Sequence, residues 1–184
     1  TYEGLTGTFG LPWYLGTDLS WWNGTALQKY GVDTNNLPTT NEGLIDLAKK
    51  VGEASKGNLP VLSSMPTYDM FASSGVTMTD ASGNFVFNTP QAATLVDQFR
   101  DAYKAGGIPA EALTGSYGGN SDGFKAGKAA YTTGTSTFAS DLQREAPTLR
   151  KGVIVTPRIG DAPLFVQGIS VAANTQNKDA ALAF

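Results

Sequence analysis

The sequence predicts an α/β fold, and three observations carry that prediction. Short runs of β-branched and aromatic residues recur between turn-forming clusters. Other segments repeat their apolar residues at three- and four-residue spacing behind a Thr or Asn cap. The two kinds of segment alternate along the chain, as in folds that pack helices against a sheet.

Thr8–Leu15 reads as a strand interrupted by Pro12, whose missing N–H cannot join a ladder. Leu19–Trp22 is a second short strand. Asn23 then caps a helix over Ala26–Tyr30, with Gly31 placed to stop it. Asn23-Gly24-Thr25 also matches a glycosylation acceptor, but the capping role is the better account. In Pro38-Thr39-Thr40-Asn41-Glu42 a Thr caps the next helix, with Glu42 three residues after Thr39 as in a capping box. Leu44, Leu47, Ala48 and Val51 form its apolar stripe. Leu59–Leu62 predicts a short buried strand that opens into the polar loop Ser63–Asp69, and such strand ends are where α/β folds place ligand contacts.

Val76–Met78 and Phe85–Phe87 flank Asp80–Asn84 and predict a β-hairpin. Thr89-Pro90 starts the clearest helix. Ala92, Leu95, Val96, Phe99 and Tyr103 make its inner face, and Gly106-Gly107 ends it. Leu113–Gly123 is a Gly-rich polar loop ahead of a short helix around Phe124. It fails as a phosphate loop: Asp122 stands where a Gly is needed before Gly127-Lys128, and Ala129 follows. Ala129–Thr133 is a strand, Ala139–Glu145 a helix and Val153–Thr156 a strand. After the Pro157–Pro163 loop, Phe165–Ala172 is the last strand, and a helix begins at Asn177. Both ends read as cut, so residues 1–184 are expected to be a single lobe of a larger protein.

Composition removes whole chemistries. With no Cys and no His, the chain can build no disulfide, thiol nucleophile, zinc–thiolate site or Ser-His-Asp triad. Carboxylates, Lys, Tyr and hydroxyls remain, and no cofactor or metal is implied. A net charge of −3 with scattered Lys and Arg argues against a nucleic-acid partner, which needs a basic face. No apolar run is long enough to span a bilayer, and no signal peptide opens the sequence. Charged residues make up only 16%, so uncharged polar groups cover much of the surface, which suits neutral ligands.

Gly10–Asn23 holds Trp13, Tyr14, Trp21 and Trp22, and thus all three tryptophans. Neighbours on a strand point to opposite faces, so both faces here must accept a large ring. Any one of the four is readily explained as core. Beside Gly, Thr and Asp, however, a ring cluster suits a ligand surface on which sugar rings stack while amides and carboxyls take the hydroxyls.

A family resemblance joins these features. Gly10-Leu11-Pro12-Trp13-Tyr14, Trp22-Asn23, Pro38-Thr39-Thr40, Phe87-Asn88-Thr89-Pro90-Gln91-Ala92, Phe124–Ala130, Gly168-Ile169-Ser170-Val171 and Asn177–Ala181 occur in that order. Order and spacing resemble the second half of extracellular solute-binding proteins of sugar ABC transporters, the maltose-binding-protein-like group, over almost the whole chain. The resemblance implies a three-layer αβα lobe of the type II periplasmic-binding-protein fold, mainly the C-terminal lobe, without the first lobe or the final helices. It implies a sugar ligand, permease subunits of an importer as partners, and a place at the extracellular face of the membrane as a lipoprotein or in the periplasm. It also implies that the chain is not an enzyme.

Ligand contacts are implied from three loops. The first offers Trp13, Tyr14, Gly16, Thr17 and Asp18, and the second Pro66, Thr67, Tyr68 and Asp69. In the third the family carries Gly-Pro-Trp. Here Gly134-Thr135-Ser136-Thr137-Phe138 stands instead, which makes Ser136, Thr137 and Phe138 the expected contacts, with Phe138 a displaced substitute for the stacking Trp. Tyr117, Asp122 and Gln167 are further candidates. The alternatives are a carbohydrate-active hydrolase using a pair drawn from Asp18, Asp69 and Asp122, or a non-catalytic carbohydrate-binding or adhesive surface domain.

Overall fold

Strand β2, Leu19–Asn23, organises the protein because its residues alternate between two cores. It lies at the centre of a three-stranded sheet, between β3 (Tyr131–Gly134) and β4 (Val153–Pro157), and pairs antiparallel with both. Trp22 is fully buried and its ring meets Tyr131 with centroids 4.6 Å apart. Its indole Nε1 donates to Thr156 Oγ1 at 2.9 Å. Trp21 packs into the other core, edge-on to Phe138 at 5.2 Å, and its Nε1 donates to the Gly134 carbonyl. The large rings required on both faces are therefore present in β2.

The computed structural model of the chain describes residues 10–114, 119–160 and 162–183. They divide into two compact units: one contains residues 18–162, the other runs from both ends of the chain and includes residues 10–17 and 163–183.

In the first unit, Trp22's core is closed by α2 (Asn41–Ser55) through Leu44, Ile45, Ala48 and Val51, and by α4 (Pro90–Lys104) through Leu95, Phe99 and Ala102. Trp21's core holds Phe124 from α5 (Gly119–Lys125), with Phe138 and Leu142 from α6 (Phe138–Glu145). Helices therefore cover both faces of the sheet, giving the expected three-layer αβα arrangement of an α/β fold. A short helix α1 (Gly24–Gln28) leaves the end of β2, capped by Asn23 Oδ1 accepting from Ala26 N–H at 3.0 Å. Gly31 follows with φ +76°, a left-handed conformation suited to glycine.

Two local expectations change. The cap of α2 is Thr40, whose Oγ1 accepts from Gly43 N–H at 3.1 Å, so Glu42 falls at the second helical position and no capping box forms. Leu59–Leu62 is not a strand. Pro60 has no N–H to give, and the segment is held by isolated bonds: Ala130 N–H donates to Pro60 O, Tyr131 N–H to Val61 O, and Val61 and Leu62 N–H both to Gly107 O. The Asp80–Asn84 turn forms as a tight loop closed by Asp80 Oδ1, which accepts from Ser82 and Asn84 N–H, with one bridge, Thr79 to Phe85. Helix α4 keeps Val96 exposed and buries Ala102 in its place. The turn that follows α4 passes so close to the backbone of α2 that a Cβ on Gly107 would lie 2.1 Å from the Ala48 carbonyl oxygen.

The second unit contains a two-stranded antiparallel ribbon of β1 (Leu11–Gly16) and β5 (Phe165–Ile169), and α8 (Lys178–Ala183), which follows β5 in the chain. Its register shifts between Pro12 and Tyr14, where the proline interrupts the ladder as the sequence implies. Short helices α3 (Tyr68–Ser73) and α7 (Pro147–Arg150), and a 3₁₀ turn at Ala110–Thr114, complete the described elements.

Candidate functional site

One end of the three-stranded sheet gathers polar groups that the cores do not consume. At the start of β2, Ser20 is wholly buried; its Oγ lies 3.2 Å from the Tyr131 hydroxyl and accepts from Ile159 N–H at 3.2 Å. Asp18 precedes that strand and Arg158 follows β4, and the register that pairs Leu19 with Pro157 sets them side by side. Asp18 Oδ2 and Arg158 Nη1 are 3.9 Å apart, with side chains 17% and 16% exposed. That distance is an ion pair without a hydrogen bond. Arg158 Nε, shut away from solvent, meets no partner among the described residues.

Burial is the main influence on Asp18 and raises its carboxyl above the ordinary Asp value; Arg158 opposes this, and the Asp69 charge adds to it. Burial likewise lifts the Tyr131 hydroxyl, against the Ser20 hydrogen bond and the Arg158 charge. A carboxyl whose pKa is raised by folding holds its proton more tightly in the folded state. Stability from this group is thus present below the unfolded value, roughly 3.9, and is lost as pH rises through the folded value. Relative to Asp18→Asn, the wild type should lose stability across that window, measured by urea denaturation at a series of pH values. A flat difference would show that the Arg158 charge offsets the burial of Asp18 in full.

The sequence-predicted contacts fall into separate groups. In the ribbon unit, Trp13 is 73% exposed and Tyr14 is also exposed. Tyr14 stands opposite Gln167, and its ring lies against Gly16, where a Cβ would come within 3.0 Å of it. Thr17 is exposed at the end of that strand. In the sheet unit, Thr67 is the N-cap of α3 without a side-chain capping bond; Tyr68 is 57% exposed, and Pro66 is half-buried. Ser136 and Thr137 are exposed ahead of α6, with Thr137 Oγ1 2.7 Å from Thr135 Oγ1. Tyr117 lies outside the described residues.

Two candidates take other roles. Phe138 is only 7% exposed, its ring held between Trp21 and Phe124 at 5.2 and 6.0 Å. It is a core residue, because α6 begins at Phe138 and turns the side chain inward. Asp122 pairs with Lys125 at 2.9 Å, and Lys125 also reaches Glu145 at 2.7 Å. These two carboxylates push the Lys125 ammonium up to about 12. Glu145 ends α6, far along the helix from the Gly134–Phe138 turn, so Asp122 belongs to the other end of the sheet from Asp18.

Ser20, Tyr131 and Arg158 were not among the sequence-predicted contacts. For Arg158 a signal existed: a guanidinium directly after Pro157, at the mouth of a strand that opens into a Pro-bounded loop. Among the described residues no group of three or more acidic side chains is gathered to hold a metal, and no helix is long and apolar enough to cross a membrane.

The fold is shared with solved structures. A Synechococcus sp. MITs9220 protein provisionally described as an oligosaccharide periplasmic-binding protein, solved with zinc, is 21% identical with a TM-score of 0.82, covering 98% of this chain and 47% of its own. An ABC substrate-binding protein from Listeria monocytogenes, in complex with cycloalternan, is 19% identical with a TM-score of 0.73, over 100% and 48%. The GacH receptor of Streptomyces glaucescens, solved unliganded and with acarbose, is 21% identical with a TM-score of 0.71, over 100% and 48%. The chain thus spans a little under half the length of each of these structures. No curated protein matches it. Residues 1–184 match the family described as bacterial extracellular solute-binding protein, and the chain belongs to that family.

Proposed function

We propose that this chain is part of a receptor that holds a carbohydrate by ring stacking and hydrogen bonds and presents it to an ABC importer at the outer face of the cell membrane or in the periplasm. The observation that carries this reading is the Asp18–Arg158 pair, largely withdrawn from water at a strand end, in a chain of the solute-binding family. A sugar hydroxyl both donates and accepts, so adjacent acceptor and donor groups suit it. An unmatched buried polar group costs about 1–3 kcal/mol, which makes such a site selective. The named ligands of similar structures, among them maltose, laminaribiose and D-mannitol, support the class.

The chain is read as most of one lobe of a two-lobe protein, with closure a hinge motion recognised by permease subunits. Trp13, Tyr14, Gly16, Thr17 and Gln167 in the ribbon unit, and Asp18, Pro66, Thr67, Tyr68, Asp69, Ser136 and Thr137 in the sheet unit, are the proposed contacts. A hydrolase would need two opposed carboxylates. Asp122 is engaged by Lys125 and Asp18 faces Arg158, which favours binding without turnover.

Titration calorimetry of the full-length protein against maltose, laminaribiose and D-mannitol tests the reading. Trp13→Ala and Tyr68→Ala should each weaken the tightest of these by about tenfold, the loss expected for one aromatic stacking contact. Release of product from an oligosaccharide, or no heat with any member of a broader sugar panel, would overturn it.

A further inference from the structure

Helix α3 begins with Tyr68 and Asp69, two of the proposed contacts, yet its own packing holds it weakly. None of its six residues is buried, and Thr67 gives it no side-chain capping bond. Met70 and Phe71 rest half-buried against the larger core. A helix this short takes its place from tertiary contacts rather than from propensity. Those contacts gather at its far end.

Asn41, the first residue of α2, is only 8% exposed. Its side-chain Nδ2 donates to Ser73 Oγ at 2.8 Å and to Ser74 Oγ at 3.1 Å, so both amide protons are committed to the end of α3. Ser73 Oγ in turn donates to the Met70 carbonyl at 3.4 Å, which carries the link back along the helix. Helix α2 does not need this amide, because Thr40 already caps it.

The loop after β4 closes on the same place. A Cβ on Gly160 would lie 2.9 Å from both Cβ and Oγ of Ser73. Gly160 stands two residues beyond Arg158, and Ile159 between them donates its N–H to Ser20 Oγ. A groove of about 450 Å³ borders Ser73 and Ser74 on the side of Thr94 and Gln98 in α4, which leaves the end of α3 room to shift.

We propose that Asn41 is a positioning residue for ligand binding: by pinning the end of α3 beside the loop after β4, it sets where that helix presents Tyr68. The inference rests on the receptor reading, which supplies Tyr68 as a contact, and adds to it a residue that touches no ligand.

The test combines hydrogen exchange of the ligand-free, full-length protein with calorimetry against maltose, laminaribiose and D-mannitol. Asn41→Leu keeps a side chain of similar size that cannot hydrogen-bond. Amides of α3 should exchange several-fold faster in it, with those of α4 unchanged, since the effect is a local opening. The tightest sugar should bind roughly three- to tenfold more weakly. In a Tyr68→Ala background the same substitution should change affinity less than about twofold, because the ring that Asn41 places is gone. A general loss of stability would not depend on Tyr68. Asn41→Asp should bind within about twofold of wild type, as the Ser73 and Ser74 hydroxyls can turn and donate to a carboxylate. Should Asn41→Leu fail to fold, Ser73→Ala with Ser74→Ala severs the same bonds from less buried positions and should reproduce both effects. Unchanged exchange in α3, unchanged affinity, or an equal loss with and without Tyr68 overturns this inference and leaves the receptor reading standing. Absence of binding by the wild type across a sugar panel overturns the receptor reading itself, and this inference with it.

Discussion

Trp22→Ala is expected to remove about 3–5 kcal/mol of folding stability, the range for truncating a large buried aromatic. The side chain has no exposed surface, its ring meets Tyr131, and its indole N–H has a fixed partner in Thr156. Truncation therefore opens a cavity between the sheet, α2 and α4 and strands one hydroxyl acceptor. Urea denaturation followed by circular dichroism should show a lower midpoint with an unchanged slope, and the melting temperature should fall by roughly 2–4 °C per kcal/mol. The loss also reaches the candidate site, because Tyr131, released from the Trp22 ring, is the residue whose hydroxyl meets Ser20. A loss below about 1 kcal/mol would mean that the core collapses around the missing ring.

Gly107→Ala should destabilise by about 3 kcal/mol, the upper end of what inserting one methyl group costs. The new Cβ would sit 2.1 Å from the Ala48 carbonyl oxygen and 3.2 Å from that of Ala102. Both obstacles are backbone, so no rotamer can give way. Moving residue 107 instead would disturb the carbonyl that accepts from Val61 and Leu62, at 3.0 and 3.1 Å. Gly123→Ala is the control of opposite sign. A Cβ there meets nothing within 4 Å, and the residue lies in α5, where replacing Gly is expected to add about 0.5–1 kcal/mol. Equal losses from the two substitutions would refute the close-approach account and point to a general effect of replacing glycine.

Much of the fold was legible because its signals are local. Trp21 and Trp22 demand two cores from their adjacency alone, and helices supply both. Asn23 and Thr89 cap the helices expected of them, Thr89 Oγ1 accepting from Ala92 N–H at 3.2 Å. Failures came where a distant partner decides. Thr39 and Thr40 are equivalent as caps until the entry angle of the chain selects one. Leu59–Leu62 has strand composition, but its hydrogen bonds go to Gly107 and to the backbone before and within β3.

The site was less legible, for a related reason. Phe138 is expected as a displaced substitute for a stacking Trp, but position along the chain does not say which way a ring turns at the first residue of a helix. Arg158 carries only the hint of its place after Pro157, which does not name a partner, and Arg is seldom buried. Only the pairing of β2 with β4 brings it beside Asp18.

The differing surroundings of the three tryptophans give the protein its own optical reporter. Trp13 faces water, whereas the indoles of Trp21 and Trp22 are enclosed and hydrogen-bonded. Intrinsic emission should therefore resolve into a long-wavelength component that iodide quenches and a shielded short-wavelength component that it does not. A ligand laid over Trp13 would act on the first alone, so occupancy at that ring could be followed without a label and without confusion with unfolding.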